Sequence, residues 1–199
     1  MPENLTRQIL SEHLVDGELK PGEPIGLRVD QTLLQDATGT MACMQFEQLG
    51  VPRVQVDRAV QYVDHNVIQL DNKNPDDHRM LQSMARKFGI DYSRPGNGIC
   101  HYVHIERYAK PGGILVGADS HTTTCGALGM IAIGAGGLDV AVAMAGHPYE
   151  IACPEVVEVR LDGTLARPWR RAPGSCCRWC RARPRRGWPR RGRRTRRPC

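Results

Sequence analysis

The sequence predicts an α/β fold in which a mostly parallel sheet lies between helices (α/β/α). The strongest indication is the run 114–117, which is apolar on both faces and too short for a helix, as expected of a buried strand in a parallel sheet. Segments with helical periodicity precede and follow this run, and polar residues stand where several predicted strands end. In open parallel sheets, ligands bind at the carboxyl ends of the strands, so these polar residues are functional candidates.

The first predicted helix spans residues 4–14. Leu5 and Ile9 share one face of this segment, and either Asn4 or Thr6 can cap its first turn. This amphipathic pattern predicts a surface helix that packs one side against the core.

A short strand is predicted at residues 25–30 and a second helix at residues 40–49. The residues of this helix that we expect to face inward are Met41, Met44 and Leu49. Gln35 and Asp36 therefore lie in a loop that leads into the helix. We interpret Asp36 as a helix cap, which is a common role for Asp. The functional hypothesis is that the side-chain amide of Gln35 holds a substrate oxygen.

The alternating segment 59–63 is predicted to be a strand, and Asp64 and His65 stand at its end. A carboxylate beside an imidazole can raise the imidazole pKa and fix its orientation, which makes it a better acid at neutral pH. Adjacent residues of a strand point to opposite faces, so the two side chains touch only if the chain turns here. A pair of surface loop residues is the alternative interpretation.

A third helix is predicted to begin near Asn74, where a capping residue, a proline and acidic residues follow one another. Its apolar stripe consists of Met80, Leu81, Met84 and Phe88. Gly89 is expected to end this helix. Further strands are predicted at residues 90–93 and 156–161.

A glycine-rich turn at residues 94–100 leads into His101, which begins a further helix. We expect His101 to point into a cleft, and His104 to be a surface or core residue. The candidate catalytic residues are Asp64, His65, His101, Asp119 and His121. Together they form a plausible acid–base constellation near the ends of strands. Ser120 lacks the Gly-x-Ser-x-Gly elbow of a hydrolase nucleophile, which argues against acyl transfer.

Charge divides the chain into two unlike parts. Residues 167–199 contain 14 of the 27 basic residues and none of the 21 acidic ones, so residues 1–166 carry a net charge of −8 although the whole chain carries +6. Residues 166–199 are rich in Arg and Pro and are predicted to be a disordered tail. Their composition fits an out-of-frame translation of a GC-rich gene, and a basic arm for nucleic acid is the alternative.

Cysteine spacing and hydropathy indicate the cellular compartment and whether the chain enters a membrane. Cys43, Cys100, Cys125 and Cys153 show no framework spacing, which favours free thiols in a reducing cytosol. No apolar run is long enough to span a bilayer, and the polar N-terminus does not resemble a signal peptide. We therefore expect a cytoplasmic protein with no membrane partner.

Several motifs, in matching order and spacing, resemble the N-terminal part of the aconitase family. They are Leu34-Gln35-Asp36-Ala37-Thr38, Tyr62-Val63-Asp64-His65, Gly96-Asn97-Gly98-Ile99-Cys100-His101, Gly117-Ala118-Asp119-Ser120-His121-Thr122 and Ile133-Gly134-Ala135-Gly136-Gly137. The resemblance covers about residues 4–165, which we take as one α/β domain. Isopropylmalate dehydratase and homoaconitase carry related motifs, but residues 144–150 are more similar to the aconitase version.

The resemblance implies a hydro-lyase that interconverts citrate and isocitrate through cis-aconitate, with a 4Fe-4S cluster as cofactor. One iron of that cluster would act as a Lewis acid on the substrate, a small tricarboxylic acid. By motif match, Gln35 and Ser120 would contact the substrate. Asp64 and His65 would assist the departure of the substrate hydroxyl as water.

By the same match, His101, Asp119 and His121 would line the site. The sequence departs from the family pattern because the contexts of the three cluster-ligand cysteines are absent, as the segment Cys176-Cys177-Arg178 illustrates. We therefore expect no metal ligands in this chain. We expect a truncated enzyme that is inactive alone and whose partner would be the missing C-terminal part.

Three alternatives remain open on the sequence. The first is a hydro-lyase of the isopropylmalate dehydratase or homoaconitase type. The second is an RNA-binding protein that uses the Arg-rich tail, whose Trp residues could stack on bases, although we consider a nucleic-acid partner the weaker interpretation. The third is a mononuclear metal enzyme that uses His65, His101 and Asp119, since two histidines and one carboxylate can bind a metal ion.

Overall fold

The computed structural model describes residues 4–160 and 162, and those up to Val156 belong to one compact unit. The predicted basic tail at 166–199 lies outside the described residues. The helices are α1 (Leu5–His13), α2 (Gly39–Gln48), α3 (Lys73–Phe88), α4 (Cys100–Arg107) and α5 (Gly137–Met144), with a 3-10 helix at Ser120–Leu128. The strands are β1 (Leu14–Gly17), β2 (Pro24–Leu27), β3 (Gln31–Leu34), β4 (Arg58–Tyr62), β5 (Asp91–Ser93), β6 (Ile114–Gly117), β7 (Ile131–Gly134) and β8 (Tyr149–Ala152).

The main sheet has five strands in the order β5-β4-β3-β6-β7, and every pair in it is parallel. The chain proceeds outward from β3 through β4 to β5, and then returns to the other side of β3 to add β6 and β7. The direction of winding therefore reverses between β3 and β6. Such a switch point leaves a crevice at the carboxyl ends of the strands.

Helices cover both faces of this sheet, which confirms the predicted α/β/α fold class. One core cluster joins Leu34 of β3 to Phe46 of α2 and Val140 of α5. The other joins Leu33 of β3 to Val103 of α4. Successive strand residues point to opposite faces, so both Leu33 and Leu34 are fully buried, as expected of a central parallel strand.

A second, antiparallel sheet has the strand order β1-β2-β8. The preceding helix α1 agrees with the prediction, and the side chain of Asn4 caps it by accepting a hydrogen bond from the Arg7 N–H at 2.9 Å. The strand predicted at 156–161 is wrong for its described residues, because the last strand of the described chain, β8, ends at Ala152.

Helix α2 occurs where it was predicted, but the expected inward residues were wrong. Met41 is 63% exposed, and Met44 and Leu49 are also exposed. The buried residues of the helix are instead Gly39, Ala42, Cys43 and Phe46. Small residues are favoured on this face because α2 packs closely against α5: a Cβ added to Gly137 would lie 3.5 Å from the Ala42 Cβ. A methionine stripe would not fit at this separation.

Helix α3 follows its prediction except for the cap: Asn74 lies within the helix, and the N-cap residue is Asn72, whose side chain makes no capping hydrogen bond. Leu81 and Phe88 are buried, and Met80 and Met84 pack partly buried against the same cluster. Gly89 ends the helix with a φ of 78°, a left-handed conformation that favours glycine. Among the residues that the structure describes, no helix combines the length and apolar character needed to cross a membrane.

Candidate active site

The predicted catalytic residues converge at the carboxyl edge of the main sheet. Asp64 and His65 follow β4, Asp119 follows β6, and His101 lies in the first turn of α4. Asp64 is hydrogen-bonded to His65 and Asp119 to His101, and an ion-pair contact of 3.5 Å between His65 and Asp119 joins the two pairs. These residues lie beside the β3–β6 switch point, where a ligand crevice is expected.

Asp64 orients the imidazole of His65. Its Oδ1 lies 2.9 Å from His65 Nδ1, while its Oδ2 accepts a hydrogen bond from the Cys100 N–H at 2.6 Å. Strand β4 ends at Tyr62 and the chain bends at His65 and Asn66, which allows the two adjacent side chains to touch. The two side chains are thus in contact, a point that the sequence left open, and Asp64 also satisfies the amino end of α4.

Asp119 links His101 to His65. Its Oδ1 lies 2.7 Å from His101 Nε2, and its Oδ2 lies 3.5 Å from His65 Nε2. The same Oδ1 accepts the His121 N–H at 2.7 Å, so Asp119 also caps the 3-10 helix. Burial alone would raise the pKa of Asp119. The hydrogen bonds and the nearby imidazoles lower the pKa by more than burial raises it, so the net pKa lies below its ordinary value.

His65 is suited to hold a transferable proton. Burial lowers its pKa, but the hydrogen bond to Asp64 and the charges of Asp64 and Asp119 more than offset this effect. The pKa of His65 is therefore raised above its ordinary value. Its side chain remains 35% exposed, so the ring is accessible to a ligand.

His121 and the two predicted substrate contacts differ in exposure. His121 is 77% exposed, and its ring centre lies 5.6 Å from that of His101. Ser120 is exposed, with its Oγ 3.4 Å from His121 Nδ1. Gln35 is buried, and its Oε1 accepts the Ala37 N–H at 2.5 Å. The role of Gln35 and Ser120 in binding substrate stays a prediction.

Asp36 is a site residue whose role the sequence did not reveal. The expected helix cap was wrong: Thr38 is the N-cap residue of α2, and no side chain caps that helix. The carboxylate instead accepts the N–H groups of Asp64, His65 and Asn66. These partners lie 28 to 30 residues away, beyond the reach of any local sequence pattern.

His104 is a core residue, one of the two places expected for it. It is fully buried, and its ring bridges the Tyr62 hydroxyl at 3.0 Å and the Gln31 Oε1 at 2.9 Å. Burial, with the charges of Arg58 and His101, lowers the pKa of His104 to about 4. It is therefore a neutral structural histidine.

The cysteines of the described chain do not fit the ligands of an iron–sulfur cluster. Cys43, Cys100, Cys125 and Cys153 are free and buried, in agreement with the expected free thiols. Burial raises the pKa of Cys43 to about 12 and that of Cys125 to about 11, and burial and Asp64 raise the pKa of Cys100. Cluster ligation requires thiolates gathered at one place. These thiols are instead divided between two core clusters.

Two groups of side chains have donor atoms close enough for a metal ion. Within each group the donor atoms lie within 4.8 Å of one another. The groups are Asp64, His65 and Cys100, and His101, Asp119 and His121. In both groups carboxylate oxygens and imidazole nitrogens are hydrogen-bonded to one another. The arrangement is thus suited to proton transfer as it stands.

Comparisons with known proteins identify the family of this chain. The model of the aconitase family (aconitate hydratase) matches residues 7–171. The mitochondrial aconitate hydratase of Schizosaccharomyces pombe is 39% identical over 177 residues, which cover 82% of this chain and 22% of that protein. The 3-isopropylmalate dehydratase large subunit 2 of Archaeoglobus fulgidus is 38% identical over 165 residues, 83% of this chain and 39% of that protein. The chain thus spans between about a fifth and two fifths of the length of these relatives. The family match extends over most of the sequence, and the chain belongs to the aconitase family.

Proposed function

We propose that this chain forms the N-terminal, acid–base part of an aconitase-type hydro-lyase that interconverts citrate and isocitrate through cis-aconitate. The observation that carries this proposal is the pair of hydrogen-bonded carboxylate–imidazole couples, Asp64–His65 and His101–Asp119, which a 3.5 Å ion-pair contact between His65 and Asp119 joins. They lie at the switch point of a parallel sheet and include a histidine of raised pKa. The family membership supports the same reaction type.

His65 is the proposed proton donor. Hydroxide is a poor leaving group, so the elimination of water from a hydroxy acid requires a proton on the departing oxygen. Asp64 accepts the hydrogen bond from His65 Nδ1, which leaves Nε2 to hold the proton that is transferred. Because the pKa of His65 is raised, a larger share of the ring carries this proton near neutral pH.

Asp119 and His101 stabilise the charge that changes during this transfer. Asp119 lies between the two imidazoles and has a lowered pKa, so it stays ionised when His65 loses or regains its proton. His101 is buried and is held by Asp119. Gln35 and Ser120 would contact the carboxylates or hydroxyl of the tricarboxylic acid.

The family's 4Fe-4S cluster would supply Lewis-acid activation of the substrate hydroxyl in the full-length enzyme. The buried cysteines of the described chain do not fit this group, so its ligands would have to come from elsewhere, such as a C-terminal part of the enzyme. None of the proton transfers assigned above requires a cysteine. The cytoplasmic location expected from the sequence stays a prediction, and the relatives of S. pombe and Dictyostelium discoideum are named as mitochondrial.

A chimeric enzyme tests the proposal. The matching segment of the S. pombe aconitate hydratase is replaced by residues 7–156 of this chain, and the conversion of citrate to isocitrate is measured. The variant His65→Gln should lower kcat by roughly 10²- to 10⁴-fold, the usual contribution of a general acid. His147→Gln is the matched control, because His147 is exposed and outside the hydrogen-bonded site. Equal kcat values for the chimera with and without His65 would refute the assignment.

An isopropylmalate dehydratase is the second candidate, favoured by the relative in Archaeoglobus fulgidus. The same segment is transferred into that dehydratase subunit, and turnover of 3-isopropylmalate is measured. Activity in the A. fulgidus host together with inactivity in the S. pombe host would favour this alternative. The opposite result would support the assignment to citrate.

A further inference from the structure

Asp36 is a buried carboxylate whose hydrogen-bonding capacity is filled by one loop and one histidine. Its Oδ1 accepts the Asp64 N–H at 3.0 Å and the His65 N–H at 2.9 Å. Its Oδ2 accepts the Asn66 N–H at 2.7 Å and lies 3.2 Å from His78 Nε2. A carboxylate accepts about four hydrogen bonds, so Asp36 is fully satisfied although it is only 2% exposed. These bonds offset the high cost of burying its charge.

The contact of His78 with Gln69 shows which atom donates in the hydrogen bond between His78 and Asp36. The Gln69 Nε2 lies 3.0 Å from His78 Nδ1, and an amide nitrogen can only donate. His78 Nδ1 therefore accepts, and the ring proton is on Nε2, where it is donated to Asp36. His78 is buried in α3, so the carboxylate is supported by a second element besides the loop.

The loop held by Asp36 is the one that carries the proposed proton donor. Asp36 follows β3, and residues 64–66 follow β4, which is the neighbouring strand. Three successive N–H groups of this loop point at the one carboxylate. The backbone position of His65 is thereby set, and its ring reaches Asp64 on one side and Asp119 on the other.

We propose that Asp36, supported by His78, is a positioning residue of the catalytic loop that holds residues 64–66 so that His65 stands between Asp64 and Asp119. This inference deepens the proposed function and rests on it. Proton transfer is sensitive to displacements of about 1 Å, so a residue that never touches substrate can control the reaction through this loop.

The chain supplies a matched control at the other end of β3. Asp30 also accepts a backbone N–H, from Ile114 at 2.8 Å, and also contacts a histidine, His13 Nε2 at 2.7 Å. Asp30 precedes β3 whereas Asp36 follows it, so Asp30 has the same chemistry without contact to the loop 64–66. Asp30→Asn therefore reproduces the general cost of losing a partly buried carboxylate that is hydrogen-bonded to the backbone and a histidine and also pairs with Arg28.

The test uses the ¹⁵N-labelled full chain and two measurements by NMR. Amide hydrogen exchange is measured at residues 64–66, and the imidazole ¹⁵N shifts of His65 report its tautomer. In Asp36→Asn we expect exchange at His65 and Asn66 to become about ten- to a hundredfold faster, as for the loss of hydrogen bonds to a charged acceptor. We also expect the His65 ring to populate both tautomers. Asp30→Asn should leave both readouts unchanged and speed exchange at Ile114.

Two results would overturn the proposal. One is a folded Asp36→Asn variant in which exchange at 64–66 and the His65 shifts match the parent. The other is equal acceleration at 64–66 in Asp30→Asn, since this would show only a loss of overall stability. If Asp36→Asn does not fold, His78→Leu replaces it. Faster exchange at Asn66 in His78→Leu, with recovery in His78→Gln, which keeps an N–H donor, would support the proposal, and unchanged exchange would refute it.

The exchange and shift measurements need no turnover, so they test the positioning role of Asp36 separately from the proposed hydro-lyase activity. An inactive chimera would count against the proposed hydro-lyase and would leave the effect of Asp36 on the loop measurable. Conversely, an active chimera combined with an unaffected loop in Asp36→Asn would refute the positioning role alone.

Discussion

Lowering the pH from 7.5 to 5 is expected to remove about 2 kcal/mol of folding stability through His104 alone. His104 is fully buried, and its neutral ring makes both of its hydrogen bonds within the core. The Tyr62 hydroxyl donates to Nδ1, so Nε2 carries the proton and donates to Gln31. A second proton on this ring would break the contact with Tyr62 and place a charge in the core.

The magnitude follows from the two pKa values of His104. Burial first, and then the charges of Arg58 and His101, lower the folded-state pKa to about 4, against an ordinary value of 6.5. Between these values only the unfolded chain binds the proton, so the stability from His104 is fully present above pH 6.5 and is lost as the pH falls toward 4. One pKa unit corresponds to about 1.4 kcal/mol, which gives about 3 kcal/mol in total and about 2 kcal/mol by pH 5.

Urea unfolding of the parent chain and of His104→Gln at both pH values isolates this effect. A Gln at this position can accept from Tyr62 and donate to Gln31 without titrating. The other histidines are common to both proteins, so their contributions cancel in the comparison. The parent should lose about 2 kcal/mol more than the variant between pH 7.5 and 5. Equal losses would show that His104 does not titrate as the buried network requires.

Three further predictions concern the site and the core. Asp119→Asn removes a charge that raises the pKa of His65, so an NMR titration should show a lower pKa for His65. An unchanged pKa would contradict the electrostatic coupling of His65 to Asp119. Burial raises the pKa of Cys43 to about 12, so a thiol reagent at pH 8 should react with it only after unfolding in urea; reaction in the folded chain would contradict its burial. Phe46→Ala should cost about 3–5 kcal/mol in urea unfolding, whereas exposed Met44→Ala should cost less than about 1 kcal/mol, and similar costs would contradict the observed orientation of α2.

Parts of the site could be predicted because their signals are local. The apolar run that became β6 is separated from Asp119 by Ala118 alone, and this short distance along the chain places the carboxylate at a strand end. Asp64 and His65 are neighbours in the chain, so one turn is enough to bring them together. The central strand β3 was not predicted, because only four residues form it and two of these are polar.

By itself, the sequence determined the fold class, the positions of α1 and α3, and the residue types gathered at the strand ends. These follow from short-range periodicity, capping and turn chemistry, which are properties of neighbouring residues. Only the tertiary structure decided that Asp36 supports the loop of His65, that His104 belongs to a buried network, and that the exposed face of α2 carries Met41. Each of these depends on partners far away in the chain, and their positions are set by how the parallel strands assemble and not by any local pattern.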